Sequence, residues 1–217
     1  PMFQILGAFF GLFSFGDVTK VAMMVNIMSA LSSAFTILFL FWTITAFGRR
    51  IAEKDEEGMN DGSIFAILGS GAVGALAYTF SDSFWFSATE GEVYAMSSFF
   101  TAITFWMIFK WEREYGQPHA NRWIILISLM MGMAVGVHLL ALLALPAVGM
   151  IYYFKRYKFT PRGFVIANAL MIFILGVIFK IIFPVVLNFS SWMEIKFVNG
   201  AGLPFYSGTI FAFVVMI

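Results

Sequence analysis

The sequence predicts an all-α polytopic membrane protein, and three observations carry that prediction. Of its 217 residues, 61% are hydrophobic and only 12% are charged, against about 25% charged in a soluble domain. Uncharged runs recur at the length of roughly 20 residues that a helix needs to cross about 30 Å of hydrocarbon. The charges between those runs are gathered into short stretches. The 13 basic and 12 acidic side chains are too few to cover a water-facing surface, which excludes an ordinary soluble enzyme. A net charge of +1 gives nucleic acid no purchase. The absence of cysteine excludes disulfides, thiolate metal sites and a cysteine nucleophile.

The spans follow in chain order. Residues 1–15 are apolar but short and punctuated by glycine, which suits an interfacial or re-entrant segment, and no charged stretch marks them as a signal peptide. Val21–Phe47 is uncharged throughout and long enough to span with tilt. Ser63–Ser81 and Val93–Phe109 are shorter spans. Trp123–Phe154 runs 32 residues without a formal charge if His138 is neutral. Gly163–Phe189 is apolar apart from Lys180, and Thr209–Ile217 begins a further span. The total is about six or seven spans in a single transmembrane domain, residues 1–217. An opening at Pro1 and an end inside an apolar run read as a fragment of a longer chain.

Charge orients these spans. Arg49–Asp61, Lys110–Arg122 and Lys155–Arg162 hold 17 of the 25 charges and 10 of the 13 basic residues, so the positive-inside rule puts all three in the cytoplasm. With Arg122 and Lys155 on the same side, Trp123–Phe154 must cross an even number of times. One 32-residue helix, about 48 Å long, would break that rule; two short helices turning near His138 satisfy it. The outer face then receives residues 16–20, Asp82–Glu92, the His138 turn and Ser190–Gly208. Its ionisable groups reduce to three lysines (Lys20, Lys180, Lys196) and five carboxylates beside the histidine.

Within that remainder, Asp82, Glu90 and Glu92 lie in one stretch that has no basic residue. Carboxylates at a membrane surface serve as general bases, hold a divalent cation or bind sugar hydroxyls. A structural role competes: Thr89 and Glu92 have capping-box spacing ahead of a helix from Val93, and Glu90 would favour its positive end. Asp82 reads as a solvated cap, and Phe84, Trp85 and Phe86 as an interfacial aromatic belt. His138 is either a satisfied core histidine or an interfacial donor to phosphate or carboxylate. A single His without a nearby acidic cluster argues against zinc. Lys180 either snorkels to the headgroups or meets a lipid phosphate. The stretch Lys196–Gly208 is rich in glycine but follows no strand, so it is a reconnecting loop and not a nucleotide-binding one. Ala66, Ser70 and Gly74, and Gly132 with Gly136, are spaced for close helix contact.

The run Ser83-Phe84-Trp85-Phe86-Ser87-Ala88-Thr89-Glu90-Gly91-Glu92-Val93-Tyr94-Ala95-Met96 resembles the most characteristic stretch of the protein O-mannosyltransferase-like membrane family, glycosyltransferase family 117. Gly136-Val137-His138-Leu139-Leu140 with Leu145-Pro146, and Asn199-Gly200 with Gly202-Leu203-Pro204, are similar to further family motifs in the same order. The resemblance implies a GT-C-type helix bundle with its active site at the outer membrane face. Such enzymes move a sugar from a polyprenyl-phosphate carrier to an acceptor, commonly a protein hydroxyl. It also implies a catalytic carboxylate in a loop that would precede Pro1. Related transferases often carry lysine at the short-helix turn where His138 stands, to serve the carrier phosphate.

The expected site is therefore Glu90 and Glu92 as catalytic carboxylates, with His138, Lys180, Lys196 and Asn199 binding substrate. Its partners are a lipid-linked sugar, an acceptor protein and membrane lipids, with no nucleic acid. No resident cofactor or metal ligand set is assigned, although a divalent cation is compatible with the carboxylates. A multi-pass place in the cell's inner, cytoplasmic membrane is expected. Two other readings stay open: a secondary transporter, and a non-catalytic membrane subunit of a larger assembly.

Overall fold

The computed structural model describes residues 2–53 and 59–216. The expected inner charges Lys54, Asp55, Glu56 and Glu57, and the terminal Pro1 and Ile217, lie outside the described residues. The regular elements of the described residues are helical. Two compact units, Pro1–Lys158 and Phe159–Ile217, are taken one at a time.

The first unit contains α1 (Met2–Gly11), α2 (Val21–Ala52), α3 (Asp61–Thr79), α4 (Asp82–Thr89), α5 (Val93–Glu114), α6 (Arg122–Val135) and α7 (Ala144–Arg156). α2 continues past the apolar run to Ala52, and the Arg49–Glu53 ion pair of 2.6 Å sits on its last turn. α3 opens on a reciprocal cap: Asn60 Oδ1 accepts from the Ser63 amide at 2.8 Å, and Ser63 Oγ accepts from the Asn60 amide at 2.9 Å. Such a cap satisfies donors that a helix start otherwise leaves orphaned.

Aromatic side chains zip α2 to α5. Phe35 and Phe39 meet Phe99, Phe39 and Trp42 meet Trp106, and Phe47 meets Phe109. Residue numbers rise together along this ladder, so α2 and α5 run parallel, and α3 carries the chain back along another side of α2. In lipid there is little hydrophobic force between helices, and interlocking contacts of this kind supply the cohesion. α3 approaches α2 through Gly71 and Gly74, where a Cβ would come within 2.6 Å of Thr45 and 2.7 Å of Ile44. The contact stripe thus keeps Gly74 of the expected Ala66–Ser70–Gly74 and takes Gly71 in place of Ser70, while Ala66 and Ser70 are exposed. Gly132 meets nothing, whereas a Cβ on Gly136 would collide with Met2.

α6 and α7 form the hairpin that charge parity requires. At one end Arg122 pairs with Glu114 at 3.1 Å, and Lys155 stands over the Tyr115 ring. At the other end of α5, His138 meets Tyr94. The tip also receives the chain's start, because the Met2 amide donates to the Gly136 carbonyl at 3.0 Å. From there α1 lays Phe3, Leu6 and Phe10 on a buried cluster of Met28, Met96, Phe100, Ala134 and Ala141. The first unit thus has a basic end, at Arg49, Arg50, Arg113 and Lys155, and an opposite end holding the Asp82–Glu92 segment and the hairpin tip.

In the second unit one apolar helical stretch runs from Pro161 to Gly200, opening on Thr160, whose Oγ1 accepts from the Gly163 amide at 3.0 Å. It comprises α8 (Pro161–Val177), a π-helical turn (Ile178–Ile182), α9 (Phe183–Ile195) and a second π-helical turn (Lys196–Gly200). Pro184 explains the first: its ring displaces the carbonyl four residues earlier, that of Lys180, and a wider turn absorbs the clash. The expected loop Lys196–Gly208 is corrected here. Its first five residues are helical, residues 201–206 form a tight turn with Gly202 and Tyr206 at positive φ, and Ser207 and Gly208 already belong to the next helix. Glu194 fastens that turn by accepting from the Tyr206 amide and from the Thr209 amide and hydroxyl. α10 (Ser207–Met216) then packs so closely on α9 that a Cβ on Gly208 would overlap the Met193 backbone.

Among the described residues, five helical stretches are long and apolar enough to cross a membrane: Val18–Ala52, Asp61–Thr79, Val93–Glu114, Leu139–Arg156 and Pro161–Gly200. Met2–Ser14, Arg122–Val135 and Ser207–Met216 are shorter apolar helices. The chain is a polytopic helical membrane protein.

Candidate functional site

The segment after α3 turns sharply into a helix of its own. Asp82 opens α4 in its first turn, where a carboxylate favours the positive end of the dipole. α4 buries Phe84 against Tyr78 with ring centroids 4.4 Å apart, while Trp85 and Phe86 stay exposed. The same geometry sends Asp82, Ser83, Phe86 and Ser87 to the opposite side. Together with Glu90, Glu92 and Tyr94 they line an open groove of 480 Å³.

The expected capping box does not form. Thr89 is the last residue of α4, and its hydroxyl donates back to the Trp85 and Phe86 carbonyls. Glu92 occupies the N-cap position of α5 with no cap bond from its side chain. The box fails because a short helix claims Thr89 first. Among the described residues, the side chains of Asp82, Glu90 and Glu92 make no hydrogen bond and no ion pair, so the capping role that competed for Glu92 is not played.

Gly91 sets the turn between the two glutamates. The Glu92 amide donates to the Glu90 carbonyl at 2.8 Å, and the turn lies directly on α2. A Cβ on Gly91 would stand 2.9 Å from Val25 Cγ1 and 3.1 Å from Asn26 Oδ1. Only glycine lets the pair of carboxylates sit this close to the helix. Reading Glu90 and Glu92 as the acids missed Gly91, Tyr94, Ser83 and Ser87. The last two were legible in hindsight, since i,i+4 spacing puts them on one helical face.

His138 stands at the hairpin tip, half-buried, as N-cap of the 3₁₀ turn Leu139–Leu143. Its Nδ1 accepts from the Leu140 amide at 3.2 Å. In the neutral ring this leaves the proton on Nε2, which has no partner among the described residues. The Tyr94 ring is 5.5 Å away, so the histidine adjoins the wall of the groove. Lys20, at the start of α2, is already paired with Asp17 at 3.0 Å. Hydrogen bonds from Thr19 and then Lys20 hold the Asp17 carboxyl below the ordinary aspartate range.

Lys180, Lys196 and Asn199 belong to the second unit, and all three are exposed. Lys180 lies in the first π-helical turn, Lys196 and Asn199 in the second. Sixteen residues of continuous helix separate the lysines, about 24 Å along the axis. Joint service to one phosphate is therefore excluded, although Lys196 and Asn199 share a turn. As for metal, no group of three or more His, Asp or Glu close enough to hold an ion occurs among the described residues.

Searches of curated proteins and of solved structures give no match. A family model does match, that of the protein O-mannosyl-transferase TMEM260 N-terminal domain, over residues 1–160. The match ends within two residues of the first unit's boundary at Lys158, and it contains the groove, Gly91 and the His138 tip. With most of its length covered, the chain belongs to the protein O-mannosyl-transferase TMEM260 N-terminal domain family.

Proposed function

We propose that this chain forms the membrane part of a GT-C-type glycosyltransferase that moves a sugar from a polyprenyl-phosphate carrier to a protein hydroxyl. The transfer takes place at the outer face of the cytoplasmic membrane, with the basic end of the first unit in the cytoplasm. One observation carries the reading. Two carboxylates with no hydrogen-bond or ionic partner share an open groove with Tyr94, and Tyr94 touches a histidine whose Nε2–H is uncommitted.

Among the described residues, the groove wall holds carboxylates and hydroxyls and no cation, which suits sugar and acceptor hydroxyls and repels phosphate. Glu90 takes the proton of the acceptor hydroxyl as its oxygen attacks the anomeric carbon of the sugar. The bond from that carbon to the phosphate oxygen breaks, and the electron pair leaves with the polyprenyl phosphate. The His138 Nε2–H donates to that departing phosphate, the place where charge develops. Glu92 binds sugar hydroxyls beside Glu90. Within the second unit, Lys180 or the Lys196–Asn199 turn is the candidate for meeting a lipid phosphate.

The test is transfer from a polyprenyl-phosphate sugar to an acceptor peptide, measured with the full protein in membranes. Glu90→Gln should lower the rate by about 10²–10⁴-fold, the usual worth of a general base. His138→Ala should weaken use of the carrier, with insertion unchanged in both variants. Normal transfer by both variants would overturn the assignment. So would solute uptake into proteoliposomes that needs no lipid-linked sugar.

A further inference from the structure

At the basic end of the first unit, α2 packs against both α3 and α5, while α3 and α5 make no comparable contact with each other. The wedge left between them is a pocket of 510 Å³. Its walls are graded along the helix axes. Trp42, Leu68 and Trp106 line the deeper part, and Arg49, Lys110 and Arg113 line the part nearest the helix ends. From Trp106 to Arg113 the rise is about 10 Å. Among the described residues, no carboxylate lines this pocket.

We propose that this wedge is a binding site for one anionic phospholipid of the adjoining leaflet. The phosphate sits between Lys110 and Arg113, and the acyl chains run along Trp42, Leu68 and Trp106. The two cations lie one helical turn apart on the same face of α5. Among the described residues neither forms an ion pair, in contrast to Arg49, Arg50 and Arg122. Lys110 rests over the Trp106 ring, 5.2 Å from its centroid, which holds the ammonium at the boundary between the apolar and cationic parts. A zwitterionic lipid would bring its own cation to a wall that already has three, so the charge pattern selects a net negative headgroup. The medium around membrane-spanning helices supplies such a molecule directly, and the proposal does not depend on glycosyl transfer.

The experiment reconstitutes the unaltered protein in vesicles of equal phosphatidylglycerol and phosphatidylcholine. The protein is then extracted gently, and the lipid retained per chain is quantified by mass spectrometry. Phosphatidylglycerol should be retained in preference by about fivefold, the scale of one Lys or Arg acting on an anionic lipid. The Lys110→Gln/Arg113→Gln variant should lose that preference, and the charge-preserving Lys110→Arg/Arg113→Lys variant should keep it. A third variant neutralises Asp55, Glu56 and Glu57, which lie outside the described residues, and should leave the preference in place. Equal retention of the two lipids by the unaltered protein would overturn the proposal without reliance on any variant. A preference that survives Lys110→Gln/Arg113→Gln, or that emerges only in the third variant, would overturn it as well.

Discussion

Among the described residues, Asp82, Glu90 and Glu92 line a groove with no cation in its walls at one end of the first unit, and Arg49, Lys110 and Arg113 line a pocket with no carboxylate at the other. The partners of the carboxylates differ as sharply. At the basic end Glu53, Glu112 and Glu114 are paired with Arg49, Arg50 and Arg122, and Glu114 also accepts from the Trp123 indole at 2.7 Å. Glu112 and Glu114 fasten helix ends to one another, and Glu53 closes the last turn of α2. At the opposite end the three groove acids fasten nothing. The difference teaches which charges to assign to architecture: an acid that ties α2 to α5 is accounted for, and an acid held on a short turn without a partner is free for chemistry. Backbone form follows the same division, since the basic end is made of long helices that simply run out. The acidic end is made of a short helix, a glycine turn and a hairpin tip.

The contrast can be broken most severely at Gly91. Gly91→Val drives a branched side chain into Val25 and Asn26, so the Glu90–Glu92 turn must lift off α2. Overpacking of this kind costs about 1–3 kcal/mol. The expected result is near-complete loss of transfer with a lowered melting temperature, and Gly91→Ala should show a weaker form of both. Retention of full transfer by Gly91→Val would mean that the position of the turn is irrelevant to activity.

The basic end should respond in the opposite manner. Glu112→Gln removes the 2.8 Å ion pair with Arg50 that joins α5 to α2. Its cost should be about 1 kcal/mol or less, because Arg50 remains largely in solvent. Transfer by the surviving protein should be unchanged. A large loss of transfer without a loss of stability would place chemistry at the wrong end.

The smallest effect belongs to Asp17. Its carboxyl is held below the ordinary value by Thr19 and Lys20, so its stabilising contribution is complete above that ordinary value, about pH 4. The contribution is lost as pH falls through the lower folded value. Melting curves of the protein and of Asp17→Asn should therefore differ by a constant small amount from neutral pH down to about pH 5 and converge in stronger acid. A gap that closes near neutrality would contradict that sign.

Much of the division between the two ends was legible in the sequence, because charge is expensive in lipid and concentrates where chains emerge. Sorting ten basic residues to one side forced the turn at His138, and Arg122 and Lys155 do return to the same end of α5. The acids of the groove were legible by type and not by geometry. Thr89 and Glu92 had the spacing of a capping box, but the stability of α4 depends on burying Phe84 against Tyr78, a contact no local pattern displays. Gly91 was invisible for the same reason: its necessity comes from α2, sixty-five residues away at Asn26. The helical turn Lys196–Gly200 was hidden by Gly200 and Gly202, which suggest a loop until a π-helical turn carries the helix on.

The measurement that bears most directly on the two-ended account is sided labelling. These 217 residues contain no cysteine, so, with any cysteine elsewhere in the full protein replaced by serine, each introduced thiol reports one place. Single cysteines at Phe86, His138 and Arg113 would be treated in intact cells with a membrane-impermeant maleimide. The account predicts reaction at positions 86 and 138 from outside, and reaction at 113 only after the membrane is opened. Labelling of 113 from outside, with 86 and 138 protected until permeabilisation, would contradict it.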